Sequence, residues 1–168
     1  VSISRRTSLA VVNGLPSIAY IKGLDVMFVQ ATDASGTAWG APVAASSGPN
    51  GAHASLAEVN GNPAVAYWDA TNEEFEYARA NDAAGSSWGT ALVLDSAGTD
   101  GLGGDLEVVG GVPVVCYCVQ SLGELRFIRA TDSDGASWPS PVVLDSDGNC
   151  GQHAAMCTIS GLLAIAYA

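Results

Sequence analysis

The stretch SLAEVNG at residues 55–61 recurs along this chain and decides its fold. Related stretches are SLAVVNG at 8–14, DLEVVGG at 105–111 and AMCTISG at 155–161, at steps of 47, 50 and 50 residues. A repeat of this length holds one supersecondary unit, which buries its apolar faces by stacking on neighbouring units. We therefore divide the chain, as one domain or part of one, into repeats at about 7–53, 54–103, 104–153 and 154–168.

Each full repeat predicts four short antiparallel β-strands. In the second repeat they span residues 55–59, 64–68, 74–79 and 91–94. The same alignment places strands at 17–21, 25–30 and 42–45 in the first repeat and at 113–119, 124–129 and 141–144 in the third. Four such strands are typical of one β-propeller blade, so we expect an all-β propeller with almost no helix.

The chain supplies about 3.5 blades, because the fourth repeat contains only its first two strands. An open arc of blades exposes sheet edges that invite pairing with another chain. We therefore expect another copy of the chain, or a missing remainder of the same polypeptide, to complete the ring.

The composition is that of an acidic protein with a sizeable core. Of the 168 residues 48% are hydrophobic, and 17 Asp and Glu against 6 Lys and Arg give a formal net charge of −11. This charge repels phosphate backbones and anionic lipid surfaces, so we expect no nucleic-acid binding. The longest apolar run, at 112–119, is far shorter than the roughly 20 residues of a membrane-spanning helix, so we expect no membrane insertion.

Four cysteines lie in the second half of the chain: Cys116, Cys118, Cys150 and Cys157. Cys116 and Cys118 share one face of a predicted strand, and the positions equivalent to Cys116 are alanines in the other repeats. Two interpretations remain open, namely small buried side chains or one disulfide that involves Cys150 or Cys157.

A second pattern recurs between the third and fourth predicted strands: TDASGTAW at 32–39, NDAAGSSW at 81–88 and TDSDGASW at 131–138. Its shared members are Asp33, Gly36 and Trp39, then Asp82, Gly85 and Trp88, then Asp132, Gly135 and Trp138. Such a turn is stapled by an aspartate that accepts backbone N–H groups, a glycine with positive φ and a tryptophan packed into the blade. Recurrence in every blade indicates a structural device rather than a single active site.

This turn resembles the Asp-box of bacterial neuraminidase repeats, which lies between the outer two strands of sialidase-like propeller blades. Here glycine follows aspartate by three residues rather than two, so the resemblance is to the wider class of Asp-box-like propeller repeats, and it covers nearly the whole chain. The class implies a secreted or cell-surface bacterial protein, and hence an extracellular location. It also places the box on the outer rim, away from the channel where sialidases do chemistry.

A sialidase activity would require, as the resemblance implies, three arginines that converge on a substrate carboxylate, a Tyr–Glu nucleophile pair and an acidic aspartate. Arg79 and Arg129 instead occupy equivalent positions on the third strands of successive repeats. The tyrosines also recur in register, which indicates packing: Tyr20, Tyr67, Tyr117 and Tyr167. We therefore expect a protein without catalytic activity.

Five further residues are candidates for ligand or metal binding. His53 and His153 are equivalent residues expected just before the first strand, near one end of the central channel, either as a shared ligand or metal site or as solvated turn residues. Trp68 has no aromatic equivalent, so it either stacks on a sugar or fills the core. Asp145 and Asp147 lie in DSDGN at 145–149, which is either a calcium loop or a turn that bonds its own backbone. No other cofactor is expected.

The leading hypothesis is a secreted or cell-surface propeller repeat module with a structural or protein-interaction role, whose partner is a surface protein. The alternative is a carbohydrate-binding propeller lectin whose ligand is a glycan. The third hypothesis is a sialidase-like glycoside hydrolase fragment, which requires a carboxylate pair about 5 to 10 Å apart facing the channel.

Overall fold

The computed structural model describes residues 7–48, 51–96, 101–147 and 153–167, with only the backbone of residues 101 and 102. Every regular element in these ranges is a β-strand, and the strands form three four-stranded sheets and one two-stranded sheet, all antiparallel. The all-β prediction is thus confirmed. Within the same ranges no helix is long and apolar enough to span a membrane.

The strands lie side by side in chain order within each sheet. Sheet 1 contains β1 (Ser8–Val12), β2 (Leu15–Lys22), β3 (Asp25–Gln30) and β4 (Val43–Ser46). Sheet 2 contains β5 (Gly51–Val59), β6 (Asn62–Asp69), β7 (Glu74–Arg79) and β8 (Leu92–Asp95). Sheet 3 contains β9 (Gly101–Val109), β10 (Val112–Val119), β11 (Glu124–Arg129) and β12 (Val142–Asp145). Sheet 4 contains β13 (Ala155–Ile159) and β14 (Leu162–Ala166).

A two-residue turn joins the first two strands of every sheet. Asn13 and Gly14 have φ of 52° and 76°, and Asn60 and Gly61 have φ of 44° and 76°. Positive φ at both central residues is the geometry of a type I′ turn, whose twist matches that of the flanking strands. The turn fixes the register of the hairpin, and the register decides which side chains share a face.

The strand β5 begins earlier than the sequence predicted. β5 begins at Gly51 rather than at residue 55, and its pairing with β6 shifts between Ala52 and Ser55. His53 lies in this bulge with φ of 53°, and its equivalent in β9, Gly103, has φ of 70°. Gly51 and Ala52 pair with Asp69 and Trp68 on the far side of the bulge. This additional pairing depends on the partner strand β6 and not on the local sequence of β5.

The sheets pack in chain order, and apolar side chains fill the space between them. Phe28, Leu56 and Tyr67 belong to the core between sheets 1 and 2. Phe75 and Tyr117 stack in the core between sheets 2 and 3, with ring centroids 4.4 Å apart. The first strands β1, β5, β9 and β13 also contact one another in succession.

Candidate functional site

The Asp-containing turn of sheet 2 is closed by hydrogen bonds to its own aspartate. Asp82 Oδ1 accepts the backbone N–H groups of Ala84 and Ser86 at 3.0 Å each, and Asp82 Oδ2 accepts the backbone N–H of Ser87 at 3.0 Å. These bonds, first of all the one from Ser86, hold the pKa of Asp82 below its usual range. The carboxylate is therefore a staple for its turn.

The turns of sheets 1 and 3 have the same structure. Asp33 accepts the Ser35 hydroxyl at 2.6 Å and the Ala38 N–H at 2.8 Å, and its pKa is lowered first of all by Ser35. Asp132 accepts the Ala136 N–H at 3.0 Å, which is the main reason why its pKa is lowered too. The three aspartates thus use their oxygens within their own turns, as expected of a repeated structural device.

The glycine and tryptophan of a turn attach it to the preceding sheet. Trp88 Nε1 donates to the carbonyl oxygen of Gly85 at 3.0 Å, and its ring meets Phe28 of sheet 1 edge-on with centroids 5.5 Å apart. In the same way Trp138 lies 5.2 Å from Tyr77 of sheet 2, measured between ring centroids. Each of these turns is therefore part of a contact between sheets.

The turn of sheet 1 differs in its surroundings rather than in its internal bonds. Trp39 Nε1 donates to the carbonyl oxygen of Gly36 at 3.0 Å, yet the tryptophan is 41% exposed. Within the residues that the structure describes, no sheet precedes sheet 1 to offer a ring equivalent to Phe28 or Tyr77.

A polar side chain on each third strand binds the last residue of the first strand in the same sheet. The contacts are Gln30 Nε2 to Val12 O at 3.1 Å, Arg79 Nε to Val59 O at 3.0 Å and Arg129 Nη2 to Val109 O at 2.9 Å. Arg79 and Arg129 are thus each anchored to their own sheet by the backbone that they cap.

Tyrosines of the second strands link neighbouring sheets. Tyr117 Oη donates to Asp95 Oδ2 at 2.6 Å, and Tyr167 Oη donates to Asp145 Oδ2 at 2.7 Å. Burial raises the pKa of Tyr117, so its hydroxyl keeps its proton. Asp95 also binds Arg126 Nη1 at 2.7 Å. Tyr117 and Tyr167 therefore each link their sheet to the preceding one.

Polar side chains at one position of the first strands join all four sheets. Ser8 Oγ accepts the N–H of Leu56 at 3.0 Å, Ser55 Oγ accepts that of Leu106 at 3.0 Å, and Asp105 Oδ2 accepts that of Met156 at 2.6 Å. Ser55 Oγ also donates to Asp105 Oδ1 at 2.8 Å. Each first strand thus satisfies a backbone donor of the next one.

The two histidines have different surroundings. His53 is 2% exposed and lines a cavity of about 200 Å³, whereas His153 is exposed. Ala154, the neighbour of His153, lines the same cavity, so both histidines lie near the same end of the first strands. The expectation that His53 precedes the first strand is wrong, because β5 already begins at Gly51.

The structure shows the surroundings of Trp68 and of Asp145. Trp68 is 6% exposed in the core between sheets 2 and 3, so its ring fills the core. Asp145 Oδ1 accepts the backbone N–H of Asp147 at 2.9 Å, which makes this turn bond its own backbone. The rest of the 145–149 loop, residues 148 and 149, lies outside the described residues.

The cysteines are divided between the core and the surface. Cys116 and Cys118 are buried, and burial raises the pKa of the Cys116 thiol to about 12. Cys157 is exposed and, like Cys116, a free thiol. Cys150 lies outside the described residues. The prediction of small buried side chains thus describes Cys116.

A cavity of about 590 Å³ lies between sheets 1 and 2. Its lining includes Asp69, Asn72, Glu76 and Trp88, together with the residues of β4. The two carboxyl residues are almost buried, with 2% of Asp69 and 9% of Glu76 exposed. A concave site with carboxylate acceptors, an amide and an aromatic side chain suits a small polar ligand.

An acidic cluster lies at this cavity. Asp69, Glu74 and Glu76 each offer one carboxylate oxygen, and these atoms lie within 4.8 Å of one another. Oxygen ligands of this kind are those that calcium takes in proteins. Tyr67 Oη donates to Glu76, and Asn72 Nδ2 donates to Asp69 at 2.8 Å. Burial raises the pKa of Glu76.

Sequence reasoning missed this cluster. Asp69 pairs directly with Glu74 across the β6–β7 hairpin, and Glu76 lies on the same face of β7 as Glu74. The alternation on β7 was readable from the sequence, but the pairing with Asp69 depends on the register of the hairpin. The sequence could therefore have indicated the cluster only if the length of the β6–β7 turn had also been predicted correctly.

No protein family and no curated protein matches this sequence. Function is therefore inferred from the turns, the cavities and the contacts between sheets.

Proposed function

We propose that this chain is a non-catalytic β-propeller module of the Asp-box-like class, with a structural or protein-interaction role outside the cell. The observation that carries the proposal is the repetition of the same contacts between successive sheets. A turn tryptophan, a second-strand tyrosine and a first-strand polar side chain recur at equivalent positions. Four-stranded antiparallel sheets that contact their neighbours in sequence are the units of a propeller.

The repeated polar groups support a role without catalysis. The turn aspartates are held by their own backbone, and Arg79 and Arg129 each cap the first strand of their own sheet. Tyr67 donates to Glu76, which is a Tyr–Glu pair as the resemblance to sialidases would require, but Tyr67 is 0% exposed in the core between sheets 1 and 2. Tyr117 is 1% exposed and donates to Asp95. These groups are engaged in the fold rather than directed at a common substrate.

Two measurements test this proposal. In a crystal structure of the protein, one rotation about a shared axis should relate sheet 1 to sheet 2 and sheet 2 to sheet 3; sheets stacked without a common axis would contradict the propeller. A panel of fluorogenic glycosides, including sialosides, should show no turnover above the rate of the buffer. Turnover that disappears in Glu76→Gln would contradict the non-catalytic role.

Carbohydrate binding is a second candidate, favoured by the cavity between sheets 1 and 2. Its carboxylates, its amide and the Trp88 side chain are the groups with which proteins hold sugars in polar pockets. On a glycan array, a specific sugar signal should weaken in Asn72→Ala. The matched control is Leu122→Ala, at the equivalent turn position of sheet 3, where the leucine is 49% exposed.

The same array should be run with calcium and with a chelator, because the acidic cluster offers oxygen ligands only. Loss of the signal in the chelator would assign a cation to the site, and an unchanged signal would assign direct contacts with the sugar. An array without any specific signal would contradict the carbohydrate candidate and leave the interaction role.

A further inference from the structure

A guanidinium group is held in the cleft between sheets 2 and 3. Arg126 Nε and Nη2 donate to Glu124 Oε2 at 2.8 and 2.6 Å, and Arg126 Nη1 donates to Asp95 Oδ2 at 2.7 Å. Asp95 also accepts the Tyr117 hydroxyl at 2.6 Å. The chain itself thus shows what a cleft between two successive sheets uses to bind an arginine, namely converging carboxylates beside a buried tyrosine.

The equivalent cleft between sheets 1 and 2 has carboxyl groups at these positions. Strand pairing makes Glu74 equivalent to Glu124 and puts Glu76 at the position of Arg126. Asp69 adds a carboxyl group opposite Glu74, where sheet 3 has a valine. The cavity of about 590 Å³ lies here, and the described residues that line it include no lysine or arginine. The cleft therefore offers acceptors for a cation that its own lining does not supply.

These carboxyl groups are close together and largely buried. Asp69 is 2% exposed and Glu76 is 9% exposed, and one oxygen of each lies within 4.8 Å of a Glu74 oxygen. None of the ion pairs between described residues involves any of the three. Burial raises the pKa of Glu76, and a cation beside it would favour the ionised form. A cation in the cavity would therefore relieve repulsion between these acids.

We propose that the cavity between sheets 1 and 2 binds an arginine side chain of a partner protein. The guanidinium group lies against the carboxylates of Asp69, Glu74 and Glu76. The same kind of contact is made within the chain by Arg126 and Glu124, one cleft further on. The proposal names the partner chemistry for the protein-interaction role proposed above, and it rests on that role.

The surroundings of the carboxylates favour an arginine carried by a polypeptide. A guanidinium group has five N–H donors in one plane, which suits several converging carboxylates, and Trp88 in the lining offers a ring on which that plane stacks. The other side of the cavity is formed by β4, residues 43–46, the edge strand of sheet 1 among the described strands. An edge strand pairs through its backbone with an extended segment, so one segment can use both the edge and the cavity.

Two end-blocked peptides test the proposal on the parent protein. Acetyl-Gly-Thr-Arg-Thr-Gly-amide carries the guanidinium group, and the same peptide with citrulline in place of arginine keeps the shape without the charge. Isothermal titration calorimetry should show that the arginine peptide binds and that the citrulline peptide binds about tenfold more weakly or not at all, because the charge-assisted hydrogen bonds are lost. Equal affinities, or no binding of the arginine peptide, overturn the proposal.

Three substitutions test the place of binding. Glu74→Gln keeps the size of the side chain but removes a carboxylate, so it should weaken the arginine peptide about tenfold. Glu73→Gln is the matched control, because it removes the same charge from an exposed neighbour and should change the affinity by less than about twofold. Ser46→Asp supplies sheet 1 with the carboxylate that sheet 2 has at Asp95, so it should strengthen binding.

The outcomes of these substitutions separate a site from general attraction. Equal weakening by Glu74→Gln and Glu73→Gln would show attraction to the net charge of −11 alone and would overturn the proposal. An affinity that Ser46→Asp leaves unchanged would contradict a guanidinium group placed as in the next cleft.

Glucosamine separates the two classes of occupant, because it carries an ammonium group on a sugar. Glucosamine that binds the parent protein as tightly as the arginine peptide does, with an affinity that falls in Asn72→Ala, would assign the cavity to a sugar and overturn the proposal. Failure of the arginine site leaves the non-catalytic module standing, since the rotation between sheets and the glycoside panel test that module without any peptide.

Discussion

Replacing Gly85 by alanine tests whether the Asp-containing turn is a contact between sheets. Gly85 has φ of 65°, and a Cβ added there would lie 2.4 Å from Cε1 and 2.8 Å from Cδ1 of Phe28 on sheet 1. Phe28 is only 1% exposed and belongs to the core between sheets 1 and 2, so a displacement of its ring would disturb the packing there. Gly36 is the matched position, with φ of 69° and its nearest side-chain atom 3.6 Å away in Pro16.

The two substitutions share one cost and differ in the other. The left-handed backbone costs an alanine about 1–2 kcal/mol at either site. Forcing a methyl group into a packed core costs about 1–3 kcal/mol more, and this applies to Gly85 alone. We therefore expect Gly36→Ala to lower the free energy of unfolding by about 1–2 kcal/mol and Gly85→Ala to lower it by about 2–5 kcal/mol.

Urea unfolding followed by tryptophan fluorescence measures both values, and an unchanged m-value shows that the two variants unfold as the parent does. The double variant Gly85→Ala with Phe28→Leu is the control, since the smaller side chain should return part of the lost stability. Equal destabilisation at the two glycines would refute the contact, because it would leave only the backbone cost that they share.

Three further outcomes are expected from contacts elsewhere in the fold. Arg126→Met should lower the free energy of unfolding by about 3 kcal/mol, since it leaves the nearly buried Asp95 without its ion pair. Adding Asp95→Asn should restore part of that loss. If the losses of the two single variants simply add in the double variant, the pairing is contradicted. Ser55→Ala should cost about 1–3 kcal/mol in the same urea assay, because the buried N–H of Leu106 loses its acceptor, and no measurable cost would contradict this link between sheets. Because the pKa of Asp82 is lowered in the folded protein, its carboxylate stabilises the fold at a pH above the unfolded aspartate pKa of about 3.9, and this stabilisation is lost as the pH falls below that value. Asp82→Asn should therefore flatten the decline of the free energy of unfolding between about pH 5 and pH 2. An unchanged slope of stability against pH would contradict the role of the carboxylate.

Local patterns predicted the parts of the structure that local interactions build. The third strands at 25–30, 74–79 and 124–129 were predicted with their observed bounds, because each alternates or is continuously apolar between clear turn residues. The Asp-containing turns were predicted as well, since an aspartate, a glycine and a tryptophan within eight residues close such a turn without help from elsewhere. Both results come from short-range chemistry.

The remaining features depend on pairing between distant residues. The bulge at His53 exists because β6 extends far enough to pair with Gly51 and Ala52, which precede the predicted first strand at 55–59. The acidic cluster exists because hairpin register brings Asp69 opposite Glu74 and next to Glu76. Neither juxtaposition is visible in a window of neighbouring residues, so the sequence predicted the histidine at the wrong place and the cluster not at all.

Equivalent positions of the third strand differ between the two interfaces. Glu76 and Arg126 occupy the same position of the third strand in successive sheets, each next to a second-strand tyrosine. Between sheets 2 and 3 the guanidinium of Arg126 binds Asp95 and Glu124 and so neutralises the carboxylates of that interface. Between sheets 1 and 2 the carboxyl group of Glu76 stands in its place beside a cavity of about 590 Å³, where burial raises its pKa and the Tyr67 hydroxyl donates to it. Ser46 occupies the position in sheet 1 that Asp95 occupies in sheet 2, so an arginine at position 76 would find no equivalent carboxylate there, and the acid at Glu76 instead accepts the hydroxyl proton of Tyr67.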